Sequence, residues 1–366
     1  MANLTRRTFL NRAAAGIGAA GLTPAGPWAE RAWAARTNLV GVQWGGPWVD
    51  GAKAVAAKQD KYEIKWELHT GGAAAVMAKI KAAWPKPVYD FVAQFTPLYY
   101  AWSREGWPEP VTYDEMPNLR DIPEDVLTRN DKGEIIAIPF SHSSVFFGYR
   151  KDITPFPIKT MEDLLDPRLK GKVIVRDATQ GVNNNTVMFA LAFGGNERNM
   201  EPGWAFLKKL AQSGNVGRVG KTEVDFINAM TSGEVSVGFW NIGAWGKVAE
   251  NFPVEFLIKS KSEVPGFQAG TFTEGYMIPK NSTRKKEVKD FVNFSISPEN
   301  CTLYNRHVNM VPTNVKSEST GLAKMVTFKT KEERARYTHA FDYEYLSPLG
   351  SEMTKRFEQE IVPLLR

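Results

Sequence analysis

The stretch NLVGVQWGGPWVDGAKAVAAKQDKYEIKWEL, residues 38–68, changes its apolar period twice. Asn38 to Trp44 is a short, nearly continuous apolar run and reads as a buried strand. Asp50 to Lys58 places Ala52, Val55 and Ala56 at helical spacing, and Tyr62 to Leu68 alternates strictly, with Tyr62, Ile64, Trp66 and Leu68 on one face. The pattern continues outward. Residues 71–84, GGAAAVMAKIKAAW, supply a second helix through Val76, Ile80 and Trp84, and Val88 to Gln94 a third strand. A β-α-β-α-β rhythm of this kind needs a crossover helix between neighbouring parallel strands, so it predicts an α/β fold with a mainly parallel sheet flanked by helices.

A second set of elements repeats the rhythm. Ile135 to Ile138 and Val145 to Tyr149 look extended, Thr160 with Asp163 makes a capping-box start, and Lys172 to Val175 is a buried strand. Trp204, Leu207, Leu210 and Ala211 mark one helix face, and Val224, Ile227 and Met230 another, before Val235, Val237 and Phe239 alternate as a strand. Val288, Phe291, Val292 and Ser295 stripe a later helix; Met353, Phe357 and Ile361 stripe the last. These stripes read as core.

Residues 5–22, TRRTFLNRAAAGIGAAGL, contain a literal G-x-G-x-x-G at Gly16, Gly18 and Gly21, yet no strand precedes it. Arg6-Arg7 stands before a weakly apolar run that ends near Ala32-Trp33-Ala34, the order of a twin-arginine export signal over residues 1–34. Without those residues, which hold four arginines and one glutamate, the formal charge of +6 falls by three to +3. No Lys/Arg run with interleaved aromatics follows, so nucleic acid is not an expected partner. The 366 residues are 43% hydrophobic and 23% charged, the composition of an ordinary globular protein, with length enough for two lobes. The single cysteine, Cys301, rules out an internal disulfide and is expected to be buried and inert. The expected location is the periplasm.

Five phrases carry a resemblance: LLDPRLKGKVIV (164–175), GWAFLKKL (203–210), MTSGEVSVGFW (230–240), TEGYMIPKNS (273–282) and VNFSISPEN (292–300). In this order they resemble bacterial extracellular solute-binding proteins, in particular the spermidine/putrescine-like and ferric-iron-like binding components of ABC importers. The resemblance implies a type II periplasmic binding protein of two α/β lobes with the ligand cleft between them. It places lobe 1 at residues 35–147 plus 272–312 and lobe 2 at 148–271 plus 313–366, with crossings near Phe146 to Tyr149, Thr271 to Tyr276 and Val311 to Asn314. It also implies a monomer without cofactor or catalytic activity, whose partners are a small-molecule ligand and an inner-membrane permease with its ATPase, and which works by hinge closure.

Ligands of open α/β sheets sit at the carboxyl ends of strands, which nominates several loops. Trp44-Gly45-Gly46 follows the first strand and offers an aromatic face beside two bare backbone amides; the same residues also suit a tight turn with a core tryptophan. Ser141-His142-Ser143-Ser144 sets four polar side chains before a strand, with His142 and Ser143 as candidate contacts. Asn183 stands in an asparagine run that caps the next helix. Trp240-Asn241 ends a strand where the resembling families supply an aromatic contact, and Glu274 on the return crossing can grip an ammonium or a hinge partner.

Polyamine sites surround a cation with several carboxylates, and the nominated loops hold few; Tyr276-Met277-Ile278-Pro279 follows Glu274-Gly275 where the polyamine group has Trp-Met-Asp. The tyrosine pair of the ferric group is missing near Trp240, since Tyr99-Tyr100 lies early in the chain. A small polar organic solute, an amine or amino-acid derivative, is therefore the expected ligand. Polyamine or ferric ion, a chemoreceptor-linked sensing role and a periplasmic enzyme stand as alternatives. Enzyme motifs fail on context: Gly220-Lys221-Thr222 lacks the P-loop spacing, and no G-x-S-x-G, H-E-x-x-H or paired-cysteine metal site occurs.

Overall fold

The computed structural model describes residues 36–69, 72–178 and 184–365, so the expected signal at 1–34 and the candidate Asn183 lie outside the described residues. From Thr37 onward the chain is one compact unit by its internal contacts. In chain order the elements are β1 (Thr37–Gln43), α1 (Pro47–Ala56), β2 (Tyr62–Leu68), α2 (Gly72–Ala83), β3 (Phe91–Phe95), α3 (Thr96–Arg104), β4 (Thr128–Arg129), β5 (Ile135–Arg150), β6 (Val173–Arg176), α4 (Asn184–Ala192), α5 (Glu201–Gln212), β7 (Val216–Gly220), α6 (Glu223–Thr231), β8 (Val237–Asn241), α7 (Ile242–Ala249), β9 (Val254–Leu257), β10 (Ala269–Met277), α8 (Lys285–Ser295), α9 (Pro298–Val308), β11 (Val311–Pro312), α10 (Lys331–Tyr337), β12 (Thr338–Ala340) and α11 (Tyr343–Glu360).

The sheet runs β2-β1-β3-β10-β5-β8-β6-β7. At one end β2, β1 and β3 are parallel, at the other β8, β6 and β7 are parallel, and the antiparallel strands β10 and β5 join them. Each end is thus a βαβ layer of the expected kind, and the two joining strands are common to both, which is the two-lobed plan. Both faces of each end are covered. Leu39, Phe91 and Ala93 pack with α1, α8 and α9 residues on one face, while Val42 and Val92 pack with Val76, Ile80 and Trp102 on the other. At the far end Ile174 and Trp240 meet Phe226, Met230 and Trp245, whereas Val173, Val175 and Phe239 meet Phe189, Leu207 and Phe357. Burial on two faces explains why strands such as Val173 to Arg176 read as continuous apolar runs rather than alternating ones.

Two expectations are corrected. Residues 141–144 are not a loop: β5 runs unbroken through them for 16 residues with the three serines buried, Ser141 donating to Asn305 Oδ1 at 2.6 Å while the Ser143 Oγ has no partner among the described residues. In α6 the buried face is Phe226, Ala229 and Met230, and Val224 is 63% exposed. The phase is set by the Thr222–Asp225 capping box, which fixes where the first turn begins and so rotates Val224 outward.

Candidate functional site

A cavity of about 380 Å³ opens where strand ends from both parts of the sheet meet the joining strand β10. Trp44 and Gly45 follow β1, Trp48 stands in the first turn of α1, and Phe95 closes β3. Arg176 closes β6, Asn184 opens α4 and Tyr343 opens α11, while Phe272 and Glu274 come from β10 itself. The volume lies in the range of small-molecule sites, and a mostly aromatic wall with few polar groups is how such sites are built.

Local sequence explains the placement. Gly46 has φ +64°, a left-handed turn that glycine adopts without cost, and Pro47 starts α1 directly after it. This reversal brings Trp48 back over the sheet, where its indole Nε1 donates to Glu274 Oε2 at 3.0 Å. Trp44 stacks on His69 with ring centroids 3.9 Å apart and leans toward Phe95 at 6.0 Å. Glu274 pairs with Phe95 on β3 and Ser141 on β5, and Phe272 with Ser143, so these residues share one face.

Two buried charges stand in the aromatic wall. Burial pushes the Glu274 carboxyl up to about 7, opposed by the Trp48 hydrogen bond and reinforced by the nearby Glu223. Burial likewise lowers Arg176 to about 10, against the favourable influence of Tyr343 and Glu223. Arg176 Nη1 donates to Asn184 Oδ1 at 3.2 Å, and its guanidinium lies over the Trp240 ring at 4.9 Å. Arg176 Nε and Asn184 Nδ2 have no hydrogen-bond partner among the described residues. Burial pushes the Tyr343 phenol up, with Asn184 and Arg176 pulling it back, so it is a neutral hydroxyl at this edge. Among the described residues no group of three or more His, Cys, Asp or Glu side chains is arranged to hold a metal ion.

Of the residues nominated from sequence, Trp44, Gly45 and Glu274 line this cavity. Gly46 makes the turn behind it. Ser143 shares the face of Phe272, buried and with its Oγ unpartnered among the described residues. His142 points to the opposite face, where it pairs with Thr273 and Val311 and lines a separate small cavity of about 40 Å³ with Arg334. Burial and Arg334 push its imidazole down to about 4, against Asp125. Trp240 is 1% exposed, stacked on Phe226, and serves as the floor under Arg176. Asn241 caps α7, accepting from the Ala244 N–H at 2.9 Å and donating to Glu223 at 3.0 Å. Sequence reasoning did not nominate Trp48, Phe95, Arg176, Phe272 or Tyr343. Arg176 alone carried a signal, a charge closing the buried run KVIV.

Residues 52–332 match the family of bacterial extracellular solute-binding proteins. The chain belongs to that family. The proteins of this family are solute-binding proteins, not enzymes. Among solved structures, an ABC transporter from Clostridium perfringens superposes with a TM-score of 0.72 at 17% identity, covering 88% of this chain and 99% of its own. The spermidine/putrescine ABC transporter substrate-binding protein PotD from Streptococcus pneumoniae gives 0.66 at 17% identity, over 88% and 99%. Iron-bound HitA from Pseudomonas aeruginosa gives 0.67 at 17% identity, over 87% and 98%. At these identities the likeness speaks for the fold. No curated protein matches the chain. Among the described residues of this solute-binding protein no helix is long and apolar enough to cross a membrane.

Proposed function

We propose that this chain is the exported substrate-binding component of an ABC importer, a monomer that captures a small polar organic solute in the cavity and hands it to a membrane permease with its ATPase. The observation that carries the reading is the composition of the cavity: Trp44, Trp48 and Phe95 from one end of the sheet, Arg176 and Asn184 from the other, and Phe272 and Glu274 from the strand common to both. A solute held by both groups favours their approach, so lobes at residues 35–147 with 272–312 and 148–271 with 313–366 close over it by bending at β5 and β10. Similar structures described as ABC transporter proteins support the transport role. A ferric ligand is disfavoured by the donor set, in which Glu274 is the one carboxylate lining the cavity among the described residues. Residues 1–34 are read as a twin-arginine signal that delivers the protein to the periplasm, and replacing Arg6 and Arg7 by lysine should then stop its export.

The test is a thermal-shift screen of the purified protein against amines, amino acids, opines, sugars, phosphonates and ferric salts, since a solute bound by the native state alone raises the melting temperature. A confirmed solute should also shrink the radius of gyration in small-angle scattering. An unchanged radius at saturation would contradict hinge closure.

A further inference from the structure

We propose that the cavity takes a two-ended solute, a short-chain zwitterion whose carboxylate-like group is held by Arg176 and Asn184 and whose protonated amine meets Glu274. The proposal rests on the solute-binding reading and narrows it to a chemical class.

The two most buried arginines among the described residues are treated differently. Arg150, 5% exposed, is saturated: its Nη2 and Nε contact Asp152 at 2.6 and 3.1 Å, its Nη1 donates to the Met230 carbonyl at 2.7 Å, and the Phe252 ring lies 3.6 Å from its guanidinium carbon. Arg176, 7% exposed, has neither a carboxylate nor a carbonyl in those roles among the described residues. It makes one bond to a neutral amide, rests on a ring face, and keeps Nε unpartnered. Burying a guanidinium with open donors is costly, and the donor fork matches the two oxygens of a planar oxyanion. Asn184, fully buried beside it and near enough to the Tyr343 hydroxyl to act on it, adds a neutral donor at the same pole. These two residues line the solute cavity, so a carboxylate-like group on the solute is the partner the fold leaves out.

The second pole has the opposite sign. Glu274, 7% exposed, accepts from Trp48, and Glu223 stands near enough to act on both Glu274 and Arg176. A protonated amine here finds an acid within an aromatic lining of Trp44, Trp48 and Phe95, rings of a kind that favours cations. A dication would place its second charge against Arg176, and a dianion would place its second charge against Glu274. Only a solute carrying both signs satisfies both poles.

The test uses three homologous series matched in chain length: ω-aminocarboxylates, α,ω-diamines and α,ω-dicarboxylates, titrated into the purified protein by calorimetry with thermal shift alongside. At least one aminocarboxylate should bind roughly tenfold or more tighter than its length-matched diamine and dicarboxylate. Arg176→Gln should lower aminocarboxylate affinity roughly ten- to a hundredfold and erase the preference over the diamine. Arg176→Lys, which keeps the charge without the fork, should retain part of that affinity and serves if the glutamine variant does not fold. The proposal is overturned if a diamine or dicarboxylate binds as tightly as the aminocarboxylate, if either Arg176 variant binds as the parent does, or if none of the three series binds. In that last case a different solute whose binding is lost in Trp44→Ala leaves the solute-binding reading standing, whereas no thermal shift from any solute class counts against that reading as well.

Discussion

Trp48 and Glu274, 226 positions apart, are joined by a 3.0 Å hydrogen bond from the indole Nε1–H to a carboxylate Oε2 that is otherwise pushed toward its neutral form by burial. The bond ties the first turn of α1 to the strand common to both ends of the sheet. It also stabilises the charged form of the acid, since a donor aimed at a carboxylate is worth most when the carboxylate is ionised.

Trp48→Phe keeps most of the ring and removes the donor. The Glu274 carboxyl should then titrate above its present value of about 7, and a cationic solute should bind about tenfold more weakly at neutral pH. The check is the pH dependence of affinity in parent and variant; an unshifted midpoint would mean that the hydrogen bond does not tune the acid.

Trp44 is half-buried, stacked on His69 at 3.9 Å and open to the cavity on its other side. Trp44→Ala removes a wall of the cavity without opening the core, so affinity for any confirmed solute should fall roughly tenfold while the melting temperature of the free protein changes little. Parallel calorimetry and thermal melts separate the two effects.

The alternation of strands and helices was legible because each element carries its own apolar period; Trp44 and Gly45 were nominated because they follow a strand end that can be read locally, and Glu274 because the family resemblance put it on the return crossing, inside β10. Other features were not. Val224 has apolar neighbours at helical spacing, and nothing in the period alone tells that the Thr222–Asp225 box turns it outward. The hydroxyl run at 141–144 looks like a loop until Asn305, 164 residues later, is seen to take the Ser141 hydrogen. Tyr343 and Phe272 reach the cavity only through tertiary folding, since an aromatic residue at a helix start or within a strand reads equally well as core.

Gly275 lies at the register shift between β10 and β5, where an added Cβ would come within 2.3 Å of the Ile138 carbonyl oxygen and 2.6 Å of Pro139 Cα. Both are backbone atoms, which cannot rotate away. Gly275→Ala should therefore destabilise the protein by about 1–3 kcal/mol, read as a lower urea midpoint with an unchanged slope. Because the clash falls on the joint between the two strands, solute affinity should drop as well. A variant with parental stability would show that the joint yields.

Cys301 is fully buried, its Sγ donates to the Phe140 carbonyl at 3.1 Å, and burial pushes the thiol up from its ordinary range. A neutral thiol without solvent access is a poor nucleophile. Labelling by a thiol reagent should be negligible in the native protein and should appear in step with denaturant-induced unfolding. Rapid native labelling would point to local opening around α9.

The last expectation concerns the acid at the centre of the site and its effect on the ligand-free protein. Burial pushes the Glu274 carboxyl up to about 7 in the folded protein, from the ordinary 4.5 of the unfolded chain. Between these values the folded state holds more protons than the unfolded state, so stability falls as pH rises. The penalty is absent below about 4.5, grows through the interval and is fully present above about 7, where it amounts to something on the order of 3 kcal/mol. Glu274→Gln carries a neutral side chain of the same shape and escapes this cost. It should be more stable than the parent at pH values above 7, approach it toward the acid end, and lose affinity for a cationic solute. Urea unfolding of both proteins across the interval, without solute, gives the difference directly; parallel curves at all pH values would show that the carboxylate is solvated in the folded protein. A solute amine should remove the penalty by pairing the charge, so the parent's pH dependence should flatten when the site is filled.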